Sequence, residues 1–199
     1  GASGACRPTR SAWPSPGGER PAWLLDMATT TVAMGKILKA MHNAQPELPH
    51  GWALDRRGRP TTSTDEALQG FLMPLGGYKG YGLSMMVEIL CSVLSGGVMG
   101  NEVGDPRQGK GPLRYSHCFL AIDIERFVPR EEFARRMDHL VGLMKSCAPA
   151  EGYDEVLVAG EPEWRAEQER RRSGIPVDEG VWEKLAAEAR RLGVEPPCC

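Results

Sequence analysis

The sequence contains no apolar run near the ~20 residues that a membrane-spanning helix needs. It has no marked excess of either charge. Its 24 Lys and Arg against 26 Asp and Glu leave a net charge of −2, so neither nucleic acid nor an anionic membrane is favoured as a partner. The arginines near the N-terminus are not followed by an apolar core and a cleavage site, so no secretory signal is expected. Cysteine is present at six positions, Cys6, Cys91, Cys118, Cys147, Cys198 and Cys199, without a Cys-x-x-Cys pair. The adjacent Cys198 and Cys199 are poorly placed to hold a metal tetrahedrally. Free thiols in a reducing cytoplasm are expected. His42, His50, His117 and His139 show no metal-ligand clustering, and no sequence repeat occurs.

What is present is ordinary for a globular domain: 199 residues, 41% hydrophobic and 25% charged. Gly1 to Pro21 is rich in Gly, Pro, Ser, Ala and Arg and lacks apolar periodicity, so it is expected to be disordered or non-native. Residues 22–199 are expected to form the ordered part. Trp23 to Leu25 reads as a buried strand ended by Asp26, and Thr29 to Ala44 reads as a helix. Gly35 inside that helix suggests close packing. His50 to Gly70 reads as a long connection. Leu83 to Leu94, apolar nearly all round with Glu88 as its lone charge, predicts a central helix buried on most faces. Asn101 to Leu113 reads as a mobile loop. Cys118 to Ile124 and Glu155 to Val158 read as strands. Helices are expected over Phe127 to Lys145, from Pro162 to Arg172, and from Asp178 to Leu192.

Three places could carry chemistry. The turn Gly76-Gly77-Tyr78-Lys79-Gly80-Tyr81-Gly82 leads into a helix, whose N-terminal N–H groups together with Lys79 suit a phosphate or carboxylate. Its G-G-x-x-G-x-G spacing is neither a dinucleotide fingerprint nor a Walker loop, and a tight packing turn explains it equally. Asp26-Met27-Ala28 follows a strand, where the carboxylate either caps the next helix or binds a ribose hydroxyl. Gly160-Glu161-Pro162-Glu163 opens a helix with the residues that capping and the helix dipole favour. Arg170-Arg171-Arg172 fits a solvated helix end. His117 beside a strand fits a structural role, and no G-x-S-x-G nucleophile setting exists for Ser92, Ser95 or Ser116.

In collinear order these segments resemble the malate/L-lactate dehydrogenase family, which is distinct from the Rossmann-type enzymes. The matching text is Leu25-Asp26-Met27-Ala28-Thr29, Gly35-Lys36-Ile37, Gly51-Trp52-Ala53-Leu54-Asp55 and Gly58-Arg59-Pro60-Thr61-Thr62. It continues with Gly76 to Leu83, Phe119-Leu120-Ala121-Ile122-Asp123, Gly160-Glu161-Pro162-Glu163 and Gly174-Ile175-Pro176, so that the likeness covers about Trp23 to Val194.

The resemblance implies an α/β fold with a mixed, largely antiparallel sheet and helices, of the non-Rossmann NAD(P)-binding sulfolactate dehydrogenase type and incomplete here. Residues 22–199 are then a cofactor-binding domain followed by C-terminal helices. It implies hydride transfer between NAD or NADP and a small 2-hydroxy or 2-oxo acid, in a cytoplasmic homodimer. By the same resemblance Asp26, Met27, Ala28, Lys79, Gly160 and Glu161 are cofactor contacts, with Lys79 on a phosphate. The family's substrate-binding histidine and arginine lie upstream of the Asp-Met-Ala strand, and none of the four histidines matches that motif. Nor does Gly4 to Pro16 reproduce the family's Gly-Thr-Asn-Pro segment. No catalytic residue and no metal ligand are therefore assigned, and the chain alone is expected to be inactive. The alternative is a non-catalytic remnant that serves as a structural or nucleotide-binding domain.

Overall fold

A computed structural model describes residues 9–103 and 114–195. Cys6, Cys198, Cys199 and residues 104–113 of the expected loop lie outside them. The chain divides into two units, Gly1–Asp138 and His139–Cys199. The architecture is mixed α/β, and the strand ladders among the described residues are all antiparallel.

The first unit opens with β1 (Arg10–Ser15), which pairs with β2 (Trp23–Ala28) from Arg10↔Ala28 to Ser15↔Trp23. The expectation of disorder before residue 22 is thus corrected for this segment. A stretch without apolar period is ordered here because its backbone groups gain ladder partners. A cross-strand charge pair adds to this: Arg10 Nε and Nη2 donate to the two Asp26 oxygens at 2.6 and 2.8 Å. The connection to β2 is fixed by Asp138, whose carboxylate accepts the N–H groups of Gly18, Glu19 and Arg20 at 3.2, 2.8 and 3.3 Å.

β2 does not stop at Asp26, and the helix α1 (Met34–His42) starts later than expected, because Thr29 to Thr31 is used to join segments. Thr29 N–H donates to the Thr9 carbonyl at 2.9 Å, Thr31 N–H to the Met73 carbonyl at 2.8 Å, and Leu75 N–H to the Thr29 carbonyl at 3.0 Å. Gly35 has nothing within 4 Å of the place a Cβ would take, so it is not the packing glycine the sequence suggested.

The expected long connection is instead built structure. β3 (Ala53–Leu54) lies between β4 (Pro60–Thr61) and β5 (Phe71–Leu72), and α2 (Thr64–Gln69) links the last two. Ser63 caps α2 by accepting from Glu66 N–H at 3.4 Å, and Asp65 and Glu66 occupy its positive end. α1 lays Ile37 and Ala40 against Leu48, Ala53 and Ala67, with Trp52 and Leu72 at the margin. Ile37 is 0% exposed.

α3 (Tyr78–Glu88) continues into a π-helical turn, Ile89–Val93. The expectation that this helix is buried on most faces fails. Only Gly80, Ser84 and Ser92 along it are buried, while Leu83, Met86 and Leu90 are exposed. Glu88 is used locally, accepting from Gly100 N–H at 2.6 Å. No strand forms over Cys118 to Ile124, since none of the described segments offers it a ladder; Ile124–Arg126 is a 3-10 turn instead.

α4 (Arg130–Lys145) begins after Pro129, whose carbonyl accepts from Phe133 N–H at 3.0 Å. Beyond it, the second unit carries α5 (Glu161–Ser173) and α6 (Glu179–Leu192). Both lie where Pro162, Asp178 and Gly193 placed them, though Asp178 caps through its backbone carbonyl and not its side chain. Glu155 to Val158 forms no strand, because its polar groups bond to side chains from α4 and α5. No helix among the described residues is long and apolar enough to cross a membrane.

Candidate functional site

The joining bonds at Thr29 have a positional result. They set the end of β2 directly beside the Gly76-Gly77 turn that opens α3, so the Asp26-Met27-Ala28 strand and the glycine-rich turn share one junction. A buried hydroxyl chain reinforces it. Ser84 Oγ donates to Thr29 Oγ1 at 2.6 Å, and Thr29 Oγ1 lies 2.9 Å from Thr9 Oγ1. Gly76 and Gly77 have φ of +57° and +68°, a backbone state that L side chains rarely adopt. Gly80 is buried, and a Cβ there would strike the Leu75 backbone, so the position requires glycine. Gly77 gives no side-chain cap, so the first N–H groups of α3 are left for other acceptors, with the exposed Lys79 among them.

Asp26 does not cap α1; that alternative is excluded by Ala33 at the N-cap and by the Arg10 pair. The Arg10 guanidinium holds the Asp26 carboxyl below the usual carboxylate range. Asp26 and Arg10 line a groove of about 860 Å³, whose wall includes Glu88, Arg114, His117 and Cys118. This volume lies within the range of small-molecule and cofactor sites. Met27, Ala28 and Lys79 do not line the groove, and Met27 and Ala28 are half-buried in the strand. Arg10 and Arg114 were not singled out from the sequence. Arg10 sits in the segment set aside for its composition, and no local pattern announces either residue. His117 stacks on Phe119 with ring centroids 6.3 Å apart.

Gly160 and Glu161 belong to the second unit. Gly160 is the N-cap of α5 with φ of 88°, which favours glycine. Glu161 is fully engaged: Lys145 Nζ donates to its two oxygens at 2.7 and 2.9 Å, Arg165 Nη2 at 2.5 Å, and Val158 N–H at 3.3 Å. Burial pushes its carboxyl up, but Lys145, Val158 N–H and Arg165 outweigh that and hold it below the usual range. Glu155 completes the cluster and is drawn down to about 2, first by the Arg165 hydrogen bond. Glu161 therefore fixes the turn and presents Gly160.

Among the described residues no group of three or more His, Cys, Asp or Glu could hold a metal ion, and Cys91, Cys118 and Cys147 are free thiols.

The sequence profile of the malate/L-lactate dehydrogenase family matches residues 7–186. The match begins inside the segment expected to be non-native, and that expectation is corrected accordingly. L-sulfolactate dehydrogenase of Methanocaldococcus jannaschii is 38% identical over 170 residues, 85% of this chain and 48% of its own length. Malate dehydrogenase of Pyrococcus horikoshii is 38% identical over 181 residues, 87% of this chain and 49% of its own. The solved structure of malate dehydrogenase from Entamoeba histolytica superposes with a TM-score of 0.85 at 26% identity, covering 94% of this chain and 55% of that one. The chain thus spans about half the length of the curated relatives it matches. With profile, identity and fold in agreement, the chain belongs to the malate/L-lactate dehydrogenase family.

Proposed function

We propose that this chain is the cofactor-binding part of an NAD(P)-dependent dehydrogenase acting on a small 2-hydroxy or 2-oxo acid. The observation that carries the reading is the junction of β2 with the start of α3, on a chain of this family. The free N–H groups of α3, left-handed Gly76 and Gly77, and the Lys79 ammonium form a donor set that fits the phosphates of a dinucleotide. Asp26, oriented by Arg10 at the rim of the groove, would accept from a ribose hydroxyl. Met27 and Ala28 would offer backbone groups beside it. Gly160 and Glu161 are a separate candidate cofactor contact within the second unit, where the Glu161–Lys145 pair holds the Gly160 turn.

Nicotinamide would supply the hydride chemistry. A proton-exchanging histidine and a carboxylate-binding arginine would come from the half of the family polypeptide that this chain does not match. The chain alone should accordingly show negligible turnover, and the complete enzyme should be a cytoplasmic homodimer. A second reading is a non-catalytic domain with a structural or nucleotide-binding role. Dehydrogenase activity regained on adding the other half would exclude that reading.

The deciding experiment is titration with NADH and with NADPH, followed by nicotinamide fluorescence, on the chain and on Lys79→Ala. Saturable binding that weakens at least several-fold in the variant is expected. Equal binding by the two proteins would remove Lys79 from the site, and no binding by either would remove the cofactor reading from this chain.

A further inference from the structure

The rotation of α3 about its own axis is fixed from outside the helix. Gly80 and Ser84 share one face, and both are buried. At Gly80 the helix meets the Leu75 backbone too closely for a Cβ. One turn on, Ser84 Oγ donates to Thr29 Oγ1 at 2.6 Å, across a sequence separation of 55. A serine inside a helix commonly faces solvent or bonds back to the carbonyl four residues earlier. This one reaches out to a different segment of the chain.

Thr29, at the receiving end, is 1% exposed. Its hydroxyl offers one donor and two acceptor sites. Oγ1 accepts from Ser84, donates to the Thr9 carbonyl at 3.3 Å, and lies 2.9 Å from Thr9 Oγ1. A hydroxyl buried this deeply is costly when a partner is lost, so the three groups hold one another at hydrogen-bond distance. The Thr29 carbonyl also accepts from Leu75 N–H at 3.0 Å. Thr29 therefore grips the glycine-rich turn on both sides, at Leu75 before it and at Ser84 after it.

Lys79 lies roughly 100° from Gly80 and roughly 140° from Ser84 around the helix. Pinning those two residues keeps Lys79 off the packed face, where it is exposed. Any turning of α3 would carry Lys79 and the first N–H groups away from the end of β2 together.

We propose that Ser84 and Thr29 are positioning residues of the dinucleotide site. Their hydrogen bond sets the rotation of α3, and with it the place of Lys79 beside β2. Both act from inside the packing, through Lys79 and the first N–H groups of α3. The inference rests on the cofactor reading of the glycine-rich turn and adds the residues that aim its donors.

The test is NADH titration of the full chain, followed by nicotinamide fluorescence. The variants are Ser84→Ala, Thr29→Val, Thr29→Ser, Lys79→Ala and the double variant Ser84→Ala with Lys79→Ala. Circular dichroism establishes that each is folded under the titration conditions, and Ser84→Ala, the mildest, carries the test if Thr29→Val does not fold. Ser84→Ala and Thr29→Val are expected to weaken binding about fivefold, the order of one hydrogen bond. Thr29→Ser keeps the hydroxyl and is expected to bind as the unaltered chain does. In the double variant the loss should be smaller than the product of the two single losses, because Ser84 acts through Lys79. Unchanged affinity in Ser84→Ala, Thr29→Ser as weak as Thr29→Val, or losses that multiply would each overturn the proposal. No binding by the unaltered chain removes the cofactor reading and this inference with it. Binding that falls in Lys79→Ala but not in Ser84→Ala removes this inference alone.

Discussion

Residues 29–74 and 75–127 belong to the same unit and treat their apolar side chains in opposite ways. In the first stretch Ile37, Leu48, Ala53 and Ala67 close a small core, and the backbone ends of three short strands and two helices find partners nearby. In the second, the large apolar residues of α3 and of 119–122 face outward, and among the described residues the extended segment has no ladder. The difference is one of supply. A short strand–turn–helix region brings its own cover, whereas a helix apolar nearly all round and a strand apolar on both faces need layers from elsewhere.

The comparison is broken or sharpened by measuring both sides of it. The largest effect is expected for Ile37→Ala, which should lower the unfolding free energy by about 2–5 kcal/mol in a urea titration. Leu90→Ala, in the same chain, should cost less than about 1 kcal/mol. Equal losses would mean that the two regions are packed alike. Next comes Thr29→Val, at a residue 1% exposed, which strips the Ser84 hydroxyl of its buried acceptor and should cost about 1–3 kcal/mol. Ser84→Ala should cost about 1 kcal/mol, because Thr29 keeps its contact with Thr9.

The smallest effect concerns acid. The Arg59 N–H, with Arg57 N–H and the Arg59 guanidinium, holds the Asp55 carboxyl below its ordinary 3.8. The unfolded chain therefore binds this proton more readily than the folded one. The stabilisation is full above the ordinary value and is lost as pH falls through the lower folded value. Asp55→Asn should flatten the acid limb of the stability profile, and an unaltered limb would discount this turn.

The local signals of helix ends were legible in the sequence. Pro129, Pro162, Asp178 and Gly193 placed the starts and stops of α4, α5 and α6 because capping is decided within one turn. The strands were less legible, since a ladder joins residues far apart in sequence. Arg10–Ser15 looks unstructured until Trp23–Ala28 is set beside it, and Cys118 to Ile124 looks like a strand although no described neighbour pairs with it. The candidate site divides in the same way. The Gly76-Gly77 turn and Lys79 are written in one short stretch, whereas the Arg10–Asp26 pair exists only across the ladder.

The π turn at Ile89–Val93 holds one more residue than an α-helical turn would, with Leu94 N–H reaching the Ile89 carbonyl at 2.9 Å. Such a turn is what an α-helix becomes when it absorbs a single inserted residue without unravelling. It acts as a phase shifter. Deleting one residue there would restore the ordinary repeat and leave Ser92 turned inward, whereas winding the turn as ordinary α-helix with no deletion would swing all that follows by roughly 100° about the helix axis, carrying Ser92 off its buried face and presenting a different set of side chains to whatever packs on this helix.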